Sequence, residues 1–387
     1  MAFGDNGLVK YAEEARDKTA NSTIAEAEEM NKLVDEFANI MEGDSEIPLP
    51  DPYVDSVLPT APKLSDGMIP VKYEEGTGWV KTNKYDSSWY NYANKEWANI
   101  VLGDASWKKE GEKEILDEEK SYSMLVWIPR YAYKITKGWH GNETGSIEIV
   151  FIDSNNQNKD KSITYKSGEE NYLNTVKKLE NGGMNDFIVH PAFDYGNNNE
   201  NRLNGFWVGK YETSHLGCNL EVDSGQSEFT GEEILQIKAN VSSWRNISVG
   251  KMFRVCLDIN KPQNIYGLNS SDYVVDPHLI KNIEWGAVAY LSISKYGKEN
   301  EEIWINNNPN YITGRAGNSL SEADAINSGE NEYNSINGQK ASTTGNVYGV
   351  YDMSGGACER VAAYLNNTKY INDYESNTYN AGKEMID

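Results

Sequence analysis

Apolar residues recur at spacings of three and four near the start of the chain, where acidic residues dominate the other positions. Met30, Val34 and Phe37 follow this spacing, which predicts one long amphipathic helix over residues 8–41. Gly43 follows the last periodic residue and is a suitable end for the helix. Its single apolar stripe allows packing on a neighbouring domain or on a partner helix.

A proline-rich stretch separates this helix from the rest of the chain. Residues 44–70 carry six prolines among acidic residues, a composition typical of a semi-extended spacer without a core of its own. Tryptophan and tyrosine are frequent in residues 71–120, which we interpret as a small aromatic module, although the pattern is also compatible with the edge of the next domain.

The second half of the chain contains strand patterns and one helix pattern. Strands are predicted in three segments, 124–135, 147–152 and 205–213. Pro129 places the first of them at a sheet edge or a bulge. Trp285 and Val288 predict a helix over residues 283–291, with both side chains facing inward. These elements indicate an α+β domain over residues 121–387.

The stretch with the clearest candidate chemistry is residues 345–361, GNVYGVYDMSGGACERV. Strand-forming residues precede a turn at Gly355 and Gly356, which predicts a hairpin. Asp352 and Glu359 are seven residues apart, and the small residues between them leave backbone carbonyls free. Such oxygens would form a cage for a hard cation such as calcium. The spacing alone favours a glycine-rich hairpin with two solvated acids, because acids near glycine turns are common in a chain this acidic.

This stretch resembles the G-L-Y-D-M-x-G-N-V-W-E segment of the formylglycine-generating-enzyme (sulfatase-modifying factor) group. That group is a branch of the C-type-lectin fold, which also includes the variable proteins of diversity-generating retroelements. Residues 205–213 resemble its F-x-I-G-K-Y-E-V-T strand, and residues 283–291 resemble its E-W-E-x-A helix. The resemblance implies a C-type-lectin-like domain with irregular loops.

The resemblance also implies a calcium site. The implied ligands are the side chain of Asp352, the main-chain oxygens of Gly355 and Ala357, and the acid Glu359. Two positions depart from the group, because Gly356 stands where it usually has Asn and Cys358 stands where it usually has Trp. A large packing side chain is therefore missing beside the implied cation.

The start of the chain resembles a second family. Residues 3–9, FGDNGLV, followed by a charged helix, are similar to the junction in bacterial type IV pilin-like proteins, where a membrane-spanning helix gives way to G-D-N-G-L. The resemblance implies a stalk helix over residues 1–43 that serves self-assembly. Contact with a membrane would occur only through an apolar segment before Met1.

Charge and composition narrow the class of partner. The chain has 36 Lys and Arg against 59 Asp and Glu, a net charge of −23 that opposes binding to nucleic acid or to anionic membranes. Its 25 Tyr and 10 Trp, beside many Asn, Ser and Gly, are typical of recognition surfaces. A surface glycan or a protein is the expected ligand.

No residue pattern indicates catalysis. The four histidines lack a catalytic setting, and no nucleotide-binding or zinc-protease motif occurs. Cys218, Cys256 and Cys358 are too widely spaced for a disulfide scaffold, which leaves one bridged pair or three free thiols. The oxidase chemistry of the resembled group needs a reactive cysteine pair beyond the Glu359 position, where this sequence has none.

The sequence therefore indicates a non-catalytic adhesion or ligand-binding protein, displayed on a bacterial cell surface or extracellular. A phage tail-tip or fibre receptor-binding protein in a virion is the first alternative. A formylglycine-generating oxidase is a second, disfavoured alternative.

Overall fold

A computed structural model describes fourteen parts of the chain, namely residues 58–65, 67–103, 115–116, 122–137, 145–165, 184, 186–194, 202–218, 233–261, 264–266, 268, 275–299, 301–317 and 331–362. All of them belong to one compact unit, Pro52–Asp387. The predicted stalk helix and most of the predicted spacer lie outside these residues. None of the described helices has the length and hydrophobicity that a membrane span requires.

The described part of the chain combines strands with fewer helices. The strands are β1 (Met68–Glu74), β2 (Gly78–Lys81), β3 (Asn99–Gly103), β4 (Tyr122–Pro129), β5 (Tyr131–Lys137), β6 (Ser146–Phe151), β7 (Ile188–Val189), β8 (Gly205–Gly209), β9 (Thr213–His215) and β10 (Leu235–Ile237). The α-helices are α1 (Val249–Leu257) and α2 (Asn282–Ser292). Short 3-10 helices occur at 92–94, 191–193, 258–260 and 338–341.

Five antiparallel strands form the main sheet, in the order β2-β1-β3-β4-β8. Strand β4 pairs with β8 in a register that places Trp127 opposite Trp207. Seven of the eight residues of β4 are buried, which shows that other chain segments cover both faces of this strand. Smaller sheets have the orders β6-β5-β7 and β10-β9.

The domain boundary predicted near residue 121 falls inside the main sheet. Strands β1, β2 and β3 come from the predicted aromatic module and pair with β4. Trp97 packs in the same buried cluster as Trp127 and Val288. The aromatic residues therefore complete one shared core instead of forming a module of their own, and Met68–Glu74 extends the sheet into the predicted spacer.

The predicted strand over residues 124–135 is two strands in different sheets. Pro129 ends β4 because proline has no N–H for the ladder. The N–H of Arg130 instead donates to the carbonyl of Asn204 at 2.7 Å, and Tyr131 begins β5. The strand predicted over 147–152 is confirmed as β6, and the one over 205–213 is divided into β8 and β9.

Arg130 lies at the crossover between these two sheets and is completely buried. Its guanidinium forms an ion pair with Asp194 and also donates to the side chain of Asn156. It donates further to the carbonyls of Phe193 at 2.7 Å and Leu203 at 3.1 Å. The N–H groups of the planar guanidinium thus find acceptors on three separate segments of the chain.

We expect Arg130→Met to lower the free energy of unfolding by about 3–5 kcal/mol, because it leaves the buried carboxylate of Asp194 with only the more distant Arg202, at 3.8 Å, as a cation. Chemical denaturation followed by circular dichroism measures this loss. Lys137→Met, at an exposed position of β5, is the control and should change stability by less than about 0.5 kcal/mol. Equal effects of the two substitutions would contradict the role given to Arg130.

Candidate functional site

The hairpin predicted over residues 345–361 does not form. The stretch consists of turns and bends that pair with other loops. Thr343 and Val350 are joined by two hydrogen bonds of 2.9 Å, from Thr343 N to Val350 O and from Val350 N to the Thr343 hydroxyl. Gly355 forms a parallel bridge with Asn306. The shape of the candidate site therefore depends on distant segments, which a local pattern cannot show.

Asp352 holds three of these segments together. Its side chain is buried, at 1% exposure, and its backbone has a φ of 61° in the left-handed region. The carboxylate accepts hydrogen bonds from Asn306 Nδ2 at 2.8 Å, from the N–H of Gly314 at 3.0 Å and from the N–H of Glu212 at 3.2 Å. Burial raises the pKa of Asp352 to about 6, and these hydrogen bonds limit the rise.

Sequence reasoning missed Glu212, which lies in the break between β8 and β9. Both of its carboxylate oxygens are buried and have no hydrogen bond of ordinary geometry among the described residues. Burial, and then the charge of Asp352, raise the pKa of Glu212 to about 9, although the Ala357 N–H and the Ser243 hydroxyl partly oppose this. The side chain is therefore neutral at pH 7.

Gly356 packs directly against the Glu212 carboxyl. A Cβ at position 356 would lie 2.4 Å from Glu212 Oε1, and the φ of 71° also favours glycine. The glycine that stands where the resembled group usually has Asn thus fits the space that Glu212 leaves. No sequence signal near Glu212 reveals this contact, because the two residues are far apart in the chain.

Glu359 lies at the exposed end of the candidate site. Its Oε2 accepts a hydrogen bond of 2.7 Å from the indole N–H of Trp285. The helix predicted over 283–291 is confirmed as α2, and Val288 is fully buried in the core as expected. Trp285 is only half-buried and contacts Glu359 instead of the core.

The predicted calcium ligands have suitable chemistry. Asp352, Gly355, Ala357 and Glu359 would offer hard oxygen donors. Glu212 adds a third acid, close enough to Asp352 and Glu359 for their charges to interact. Glu212 is neutral without a cation, and a bound cation would favour its ionisation beside Asp352, but the cation would compete with the N–H groups that already bind Asp352.

Within the described residues, no group of three or more His, Cys, Asp or Glu side chains is arranged to hold a metal ion. The implied ligand set contains only two such side chains and relies on main-chain oxygens for the rest. The calcium site therefore stays a prediction.

The buried histidine and the cysteines are in surroundings typical of structural residues. His190 is buried, and burial lowers its pKa to about 3, so the ring is neutral. All three cysteines are free thiols, and burial raises the pKa of Cys256 to about 12. A thiol with so high a pKa is a poor nucleophile.

His278 joins the chain before α2 to the first turn of that helix. Its Nε2 lies 3.1 Å from both carboxylate oxygens of Glu284, and its Nδ1 lies 3.4 Å from Asp276 Oδ2. Burial lowers the pKa of His278, but the bonds to Asp276 and Glu284 outweigh it and raise the pKa to about 9. The imidazole is therefore a cation at neutral pH, held between two acids.

Known proteins offer no match to this chain, since no family model, curated protein or solved structure is similar to it. The C-type-lectin-like and pilin-like predictions therefore depend only on short sequence segments, namely residues 3–9, 205–213, 283–291 and 345–361.

The raised pKa of His278 predicts a pH-dependent stability. The folded value of about 9 exceeds the ordinary 6.5, so the contribution is fully present below about pH 6.5 and is lost as pH rises through 9. We expect His278→Gln to lower the melting temperature at pH 6 and to have little effect at pH 10. Thermal unfolding at the two pH values measures the difference. The same decrease at both values would show that the charge of His278 does not matter.

Proposed function

We propose that this chain is a non-catalytic, surface-displayed ligand-binding protein, with a pilin-like stalk and a C-type-lectin-like head. The observation that carries the proposal is the Trp285 and Glu359 pair, in which an indole N–H bound to a carboxylate is held at the surface. The ligand is a glycan or a protein on another surface.

This pair lies at the mouth of a cavity that Trp207 and Trp244 also line. Both are half-buried, so each ring keeps some accessible surface. Trp207 donates its indole N–H to the carbonyl of Lys63 at 2.8 Å, which fixes the ring before a ligand arrives. Aromatic rings already held in position lose little conformational entropy on binding. Trp285, Trp207 and Trp244 form an aromatic rim around this opening, and such a rim suits recognition of an amphipathic group such as a sugar or a peptide side chain.

A phage tail-tip or fibre protein would use the same head, and a genome neighbourhood of tail genes instead of pilus-assembly genes would favour it. The oxidase alternative receives no support from the cysteines, because Cys256 has a raised pKa and all three thiols are free. Assay of the purified chain on a sulfatase peptide with copper tests it directly.

Binding should depend on Trp285. We expect the full-length chain to bind members of a glycan array or a bacterial surface extract, and Trp285→Ala to weaken that binding at least about tenfold, the effect of losing a central aromatic contact. Trp304→Ala is the matched control, since Trp304 is also half-buried but does not line the cavity. Unchanged binding by Trp285→Ala would contradict the assignment of this rim.

Calcium is the cofactor of the proposed head, with Asp352, Gly355, Ala357 and Glu359 as ligands. A ligand present at a hundredfold excess over its Kd stabilises the folded state by about 2.7 kcal/mol. Chelation should therefore lower the melting temperature by several degrees. Glu359→Gln, at an exposed position, should remove the calcium response and leave the fold intact. Identical melting curves with calcium and with chelator would mean that hydrogen bonds alone hold these loops.

A further inference from the structure

A large cavity enters the domain between the main sheet and the segments that carry α1 and α2. Its volume is about 1020 Å³, at the upper end of the sizes of small-molecule sites. We propose that it binds a free long-chain carboxylate, with the aliphatic chain inside and the carboxylate at the entrance beside Arg360. This proposal goes beyond the surface role of Trp285 and does not require it.

Apolar side chains that solvent can reach line both walls of the cavity. Phe206 and Val208 of β8 lie on the sheet side and are half-buried. Met252 of α1, Ile247 just before this helix and Leu279 before α2 line the opposite side and are half-buried as well. Each of these side chains keeps apolar surface in contact with water. An aliphatic ligand chain would cover that surface, which is favourable.

The inner end of the cavity belongs to the hydrophobic core. Leu102, Ile237 and Leu268 line it there, and each is at most 8% exposed. Polar atoms of a ligand are disfavoured in such surroundings, because they would lose their hydrogen bonds to water. The polar group of the ligand therefore stays near the entrance.

Cationic side chains outnumber carboxyl groups in the lining, although the whole chain has a net charge of −23. The five cations are Lys63, Arg202, Lys281, Arg360 and the protonated His278. The four carboxyl groups are those of Asp276, Glu284, Glu359 and the neutral Glu212. The excess of positive charge holds even if Glu212 is counted as an anion. This local charge favours an anionic ligand, whereas the strongly negative remainder of the chain opposes an anionic bilayer.

Arg360 supplies an accessible donor group at the entrance, where its side chain is exposed to solvent. The N–H of Ala362 donates to the carbonyl of Ile280 at 2.8 Å, so residues 360–362 run beside the segment that precedes α2. Within the part of the chain that the structure describes, no ion pair engages Arg360. Its planar guanidinium can therefore donate two parallel hydrogen bonds to a ligand carboxylate.

cis-Parinaric acid, a polyene fatty acid whose emission rises in apolar surroundings, is a suitable probe, and its methyl ester is the neutral control. We expect saturable emission at one acid per full-length chain and weaker binding of the ester. Arg360→Gln should weaken binding of the acid about fivefold, the effect of one exposed ion pair, and leave that of the ester unchanged. Arg254→Gln removes the same charge at an exposed position outside the cavity and should leave both affinities unchanged.

A second pair of variants tests the apolar part of the site. Met252→Trp fills the cavity from α1 and should abolish the emission of both probes, whereas Leu257→Trp, at an exposed position of the same helix outside the cavity, should not. Equal affinities of the acid and the ester, or undiminished binding of the acid by Arg360→Gln or by folded Met252→Trp, would overturn the proposal. It would also be overturned if the wild-type chain gave no saturable signal, or if it sedimented with phospholipid vesicles instead of binding the free acid.

Discussion

The buried ammonium of Lys210 is the constraint on which the centre of this structure depends. The residue is fully buried, and an ammonium has three N–H donors to satisfy. Its Nζ donates to Asn99 Oδ1 at 2.9 Å, to the carbonyl of Val347 at 2.6 Å and to the carbonyl of Gly349 at 2.9 Å. The ring of Trp79 lies 4.9 Å away. Burial lowers the pKa of Lys210, so these neutral acceptors and the ring must together stabilise the charge.

The hydrogen bonds around Lys210 also position the residues of the candidate site. Lys210 directly follows β8, and its carbonyl accepts the N–H of Tyr351 at 2.8 Å, which places Asp352 beside the N–H of Glu212. The same break in the strand buries the Glu212 carboxyl under Gly356. The buried ammonium of Lys210 and the buried carboxyl of Glu212 thus lie two residues apart, and loops distant in the chain position both of them.

The elements that sequence reasoning found are those whose pattern is local. Strand β6 and helix α2 each contain their own periodic signal, and both formed where expected. The pairing of β3 with β4 and the contact of Glu212 with Gly356 bring distant segments together, and nothing in the local residue types specifies either partner. For the same reason the predicted hairpin failed, because its strand-forming residues pair with other loops. The C-type-lectin-like fold and the calcium site stay predictions.

The bond from Lys210 to Gly349 also sets an order of events during synthesis, since 139 residues separate the two. At roughly 5–20 residues per second, the carbonyls of Val347 and Gly349 leave the ribosome on the order of ten seconds after the lysine, whereas Asn99 precedes it. Until then the ammonium that follows β8 lacks two of its three hydrogen-bond acceptors, so its burial is not yet stabilised. Contacts of such long range also slow folding in general. The bond network around Lys210 can therefore form only once residues 347–349 have been synthesised, well after the strands that it joins.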